Sequence, residues 1–181
     1  MQTLKCMESR EKYESDIWFK ISQLPYMVAI GMQGAGNSGI AGSANERHRS
    51  LSGILAARTD FPGNPLISSL LPLIEAEDEA LIRVMDSHDQ ILNQLEAAGI
   101  LTVEDLWTRI LELVGEVLPA INKKEAGHTL SDYITWLRQI AVVVANAAKE
   151  GDILGLGGTK FSDSEKYYFT KLDKALQEFD E

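Results

Sequence analysis

The sequence predicts an all-α protein, a compact bundle of about seven helices. Apolar residues recur at helical spacing from one end to the other, clear β alternation is hard to find, and the breaks between periodic stretches carry helix start and stop residues. With 181 residues and 45% hydrophobic content the chain has enough apolar mass for one core. A single helical domain over residues 1–181 is expected, with residues 1–10 as a candidate mobile end.

The elements follow in order. Trp18, Ile21, Pro25 and Val28 fall about one turn apart, and Pro25 marks a kink or the start of a second helical piece. This stretch runs into a glycine-rich segment, residues 31–42, read as a connection. A second helix carries Ile40, Ala44, Leu51 and Leu55 and stops before Phe61-Pro62-Gly63-Asn64-Pro65, where two prolines and a glycine force a turn. Asn64 followed by Pro65 has the chemistry of an N-cap with a first-turn proline. From Glu77 onward Leu81, Val84, Met85, His88, Ile91, Leu92 and Leu95 share a face, and Gly99 stands where a helix-ending glycine belongs.

Thr102 with Asp105 starts the next helix in an acidic variant of the capping box, and its buried stripe is Leu106, Ile110, Leu113, Val117 and Ile121. After a break at residues 127–129, Ile134, Leu137, Ile140, Ala141, Val144 and Ala148 mark a very apolar helix ending at Gly151. The β-branched run at Val142 to Val144 leaves a buried strand as the lesser alternative there. Ser162-Asp163-Ser164-Glu165 is a full capping box and opens a last helix carrying Phe169, Leu172, Leu176 and Phe179.

Charge narrows the function classes. Seventeen Lys and Arg against 27 Asp and Glu give a net charge of −10, a field that repels phosphate backbones and anionic lipid. Nucleic acid is therefore not an expected partner, and no segment approaches the ~18 apolar residues of a membrane span. Cys6 is the only cysteine, so neither an intrachain disulfide nor a cysteine-based zinc site can form. A reducing, cytoplasmic location is expected.

Gly34-Ala35-Gly36-Asn37-Ser38-Gly39 matches the dinucleotide fingerprint literally, with Asp60 as a ribose-binding acid. That reading needs Tyr26 to Met32 as a strand and further parallel strands beyond Asp60, which the pattern does not supply. The three histidines, His48, His88 and His128, lie on different segments and lack the spacing of di-iron or zinc-protease motifs. Asp86 and Asp89 share a helix face from which His88 points away. The acidic run Glu75, Glu77, Asp78 and Glu79 suits a helix N-terminus.

An approximate repeat joins two segments. Val28 to Gly36, with Glu46 beyond its loop, parallels Val144 to Asp152, with Glu165 beyond its loop. Each is an apolar helix, a glycine loop and a glutamate in the first turn of the following helix. In this respect the chain resembles the tellurite-resistance B-type (TerB-like) helical proteins, over about forty to fifty residues. The resemblance implies a helical bundle, a stress association and acidic turns able to take a divalent metal. On this sequence those positions are Glu150, Asp152, Asp163 and Glu165 in the second loop and Glu46 in the first. The first loop lacks the family's aspartate, and the second reads Glu150-Gly151-Asp152 where the family has Ala-Asp-Gly.

The function expected is that of a non-enzymatic, partner-binding helical module. Its candidate contact points are the two glycine loops: Gly34, Gly36, Gly39 and Glu46 in one, Gly155 and Gly157 in the other. No catalytic residue and no cofactor is expected, with a divalent metal in the acidic loops and a dinucleotide at Gly34 to Gly39 as the alternatives.

Overall fold

A computed structural model describes residues 9–38, 44–74, 76–125, 127–147 and 161–180. Among these residues there are seven α-helices of six residues or more and no strand. They are α1 (Ser15–Gln33), α2 (Ala44–Asp60), α3 (Pro65–Leu70), α4 (Glu77–Ala97), α5 (Val103–Lys124), α6 (Thr129–Ala147) and α7 (Asp163–Gln177). Val142 to Val144 is helical, within α6.

Residues chosen for local chemistry begin and end these helices. Asn64 Oδ1 accepts from the Ile67 amide at 3.0 Å and Thr102 Oγ1 from the Asp105 amide at 3.1 Å. Asn64 does more than cap α3. It is buried, and its Nδ2 donates to the Thr129 carbonyl and the Asp132 carboxylate, each at 3.1 Å, tying the start of α3 to the start of α6. Gly99 takes φ +75° after α4 and Gly127 φ +67° before α6, the left-handed region open to glycine.

Helix α1 occupies the centre, against α5 and α6, while α2 packs on α6 and α4, and α7 lies across α5 and α6. Ile21, Leu24, Ile30, Ile110, Leu113, Leu137, Ile140, Leu172 and Leu176 belong to one continuous core. Leu81 and Leu92, from the predicted apolar face of α4, pack against it partly exposed.

Two departures from the sequence reading concern α1. Pro25 neither ends nor divides the helix, which runs through it from Ser15 to Gln33. A proline has no N–H to give to the carbonyl one turn earlier. That carbonyl, of Ile21, instead accepts a 2.8 Å hydrogen bond from the buried Tyr133 hydroxyl of α6. Nor is the start of the glycine segment an open connection, since Gly34–Ser38 prolongs α1 as one π-helical turn.

Candidate functional site

Of the predicted contact points, the structure describes Gly34, Gly36 and Glu46. Gly34 is buried and Gly36 half-buried in the π turn, against which α7 packs. The neighbouring Gly31 is tightly packed, because a Cβ there would lie 2.7 Å from Ile110 Cδ1 and 3.1 Å from Trp107 Cε2. Trp107 cannot retreat readily, as its Nε1 donates to the Gly31 carbonyl at 3.0 Å and its ring stacks on Tyr168 at 5.2 Å. Tyr26 to Met32 is helical, so this segment does not form the strand of a dinucleotide-binding unit.

Glu46 lies in the first turn of α2. Gly39, Glu150, Asp152, Gly155 and Gly157 lie outside the described residues. Asp163 is exposed in the first turn of α7. Glu165 is buried and closes the capping box: its Oε2 accepts from the Ser162 amide at 2.6 Å and its own amide donates to Ser162 Oγ at 3.2 Å. Among the described residues no group of three or more His, Cys, Asp or Glu is placed to hold a metal ion.

Two other features stand out. The first is a polar seam between α2 and α4. Arg47 of α2 reaches Asp89 of α4 at 3.3 Å, and Arg58, near the end of α2, donates to the carbonyls of Ile74 and Pro72 just before α4 begins. These contacts set the two helices antiparallel. His88, expected to point away from Asp89, turns its Nδ1 to within 3.2 Å of Asp89 Oδ1. Its ring is fully buried, and Nε2 has no partner among the described residues. Burial holds the imidazole below its ordinary pKa, against the opposing pull of the Asp89 carboxylate.

Arg47 Nε and Gln33 Oε1 are likewise buried without partners among the described residues, while Gln33 Nε2 donates to Ser50 Oγ at 2.7 Å. Further along this seam lies a cleft of about 480 Å³ between His48, Ser52 and Thr59 on one side and Glu77 and Asp78 on the other.

The second feature is an apolar groove of about 360 Å³ where α1, α4 and α5 meet. Met27, Ile91, Leu95 and Leu113, all buried, form its floor. Phe19 stands at its rim, 49% exposed, and Ile100 in the α4–α5 connection closes part of the wall next to Leu101, 66% exposed. Gln23 Nε2 donates to Gln94 Oε1 at 2.7 Å, joining α1 to α4 across 71 residues of sequence. Arg109 completes the lining and bonds Glu112 at 3.0 Å and Glu116 at 3.4 Å. Lys20 pairs with the same Glu116 at 2.6 Å and holds its carboxyl below the usual range.

The groove could not be read from any one segment. Phe19, Gln23 and Met27 show as a helical row, but only the meeting of three helices reveals that part of this row is left uncovered. No protein-family model, curated protein or solved structure matches this chain. No helix among the described residues is long and apolar enough to cross a membrane.

Proposed function

We propose that this protein is a non-enzymatic binding module that takes apolar side chains of a protein partner into the groove between α1, α4 and α5. The observation that carries the reading is the groove itself. An aromatic rim residue half open to solvent stands beside a floor of buried aliphatic side chains, crossed by the Gln23–Gln94 hydrogen bond. Apolar surface of this kind, with its polar groups bonded to one another, is what a protein interface covers. The stress association implied by the TerB-like resemblance is part of the proposal and rests on the sequence repeat.

Selection of helical peptides of mixed charge against the whole chain tests the reading. The selected binders are expected to shift the methyl resonances of Met27 and Leu95 and to lose affinity on Phe19→Asp, a change at an exposed position. Binders that leave those methyls unmoved, or that tolerate Phe19→Asp, would place the binding surface elsewhere.

A further inference from the structure

We infer that the occupant of this groove is a basic amphipathic helix of a protein partner, an inference that rests on the partner-binding reading above. Its shape follows from the groove, and its charge follows from the rim. Phe19, Gln23 and Met27 form an i, i+4, i+8 row along α1, with buried aliphatic side chains from α4 and α5 on either side. Apolar side chains repeating at i, i+3 or i+4, and i+7 on a docked helix enter such a groove together and leave the opposite face in water.

Among the described residues Arg109 is the one charged side chain lining the groove, and carboxylates stand around it and around Lys20. On α5, Asp105, Glu112 and Glu116 share a face with Arg109 through i+4, i+7 and i+11 spacing. On α1, Asp16 stands three residues before Phe19 and 3.9 Å from Lys20. Lys20 and Arg109 are thus shared among three carboxylates, Asp16, Glu112 and Glu116, and the Asp16 and Glu112 side chains remain 67% and 57% exposed. A lysine or arginine flanking the apolar stripe of a docked helix meets these groups, whereas a glutamate there is repelled. The chain's net charge of −10 adds attraction at longer range.

Two synthetic helical peptides with one apolar stripe, one lysine-rich and one glutamate-rich on the polar face, test this against the whole protein. Calorimetry gives affinity, and the Met27 methyl resonance reports the location. The basic peptide is expected to bind at least about tenfold more tightly at low salt, to weaken as salt screens the rim, and to lose most of that advantage on Asp16→Lys with Glu112→Lys. Equal binding of the two peptides would overturn the basic occupant while leaving a groove that binds helices. Preferential basic binding that persists in Phe19→Asp would overturn the groove and the occupant together. Failure of both peptides, where the selected binders of the preceding experiment still shift Met27, would overturn the basic occupant alone.

Discussion

The two sides of α1 satisfy their polar groups differently. Toward α5 and α6 the large buried side chains make directed bonds to the α1 backbone, Trp107 to the Gly31 carbonyl and Tyr133 to the Ile21 carbonyl. Toward α2 and α4, Gln33, Arg47 and His88 each keep one buried polar atom without a partner among the described residues. Trp136 Nε1 is the exception on the first side. An unmatched buried polar atom costs about 1–3 kcal/mol. The comparison assigns rigidity to the α1–α5–α6 side and the lower local stability to the α2–α4 seam.

The largest test of this division is removal of core volume. Leu137→Ala, at a fully buried position, is expected to lower unfolding free energy by roughly 2–5 kcal/mol. Leu81→Ala, at a half-buried position on the seam, should cost less. Urea unfolding of both variants checks the order, and equal losses would erase the contrast.

Tyr133→Phe probes the directed bonds. It leaves the Ile21 carbonyl buried with no donor and should cost about 1–3 kcal/mol. In a Pro25→Ala background residue 25 regains its N–H and can serve that carbonyl, so the same tyrosine change should cost much less. A double-mutant cycle measures the coupling. Additive losses would show that the phenol stabilises α1 by packing alone.

Gly31→Ala sets a tight contact against helix propensity. Alanine favours a helix by ~1 kcal/mol over glycine. A Cβ within 2.7 Å of Ile110 and 3.1 Å of the anchored Trp107 forces a shift, for which overpacking costs of ~1–3 kcal/mol are usual. Net destabilisation with altered tryptophan fluorescence is expected, and a stabilised variant would mean that α1 and α5 have room to part.

The smallest effect at neutral pH belongs to His88. Because its folded pKa is lowered, the unfolded chain takes up a proton first as the pH falls. The contribution is full above the ordinary imidazole value of about 6.5 and is lost progressively as the pH drops through that value toward the folded pKa. His88→Leu should change stability little near pH 7 and should remove that decline. Urea midpoints at about pH 7 and about pH 5 measure both. An unchanged decline in the variant would move the acid sensitivity to another group.

Much of the scaffold was legible because it is written in local chemistry. Asn64, Thr102, Gly99 and the Ser162–Glu165 box do what such residues do at helix ends wherever they occur. Periodicity placed the stripe from Leu106 to Ile121 in the core for the same reason. Illegible were features whose cause lies far along the chain. Pro25 reads as a kink or a new helix start, and nothing near it in sequence shows that Tyr133 serves the carbonyl it leaves, while Gly34 to Ser38 reads as a loop until α7 packs against it. The groove belongs to this second kind, as its three walls come from segments that no local pattern connects.

The bond between Tyr133 and Ile21 also has a consequence in time. The two residues are separated by 112 positions, and translation adds roughly 5–20 residues per second. When α1 leaves the ribosome, the carbonyl that Pro25 left without its helical donor has only water for a partner. Its phenol is not yet made. At those rates roughly 6–22 seconds pass before Tyr133 is synthesised, so the central helix of the fold is the one that waits longest in its unfinished form. During that interval the nascent chain presents the apolar surface of α1 to the cell, and a chaperone that shields it would act before the second half of the protein exists.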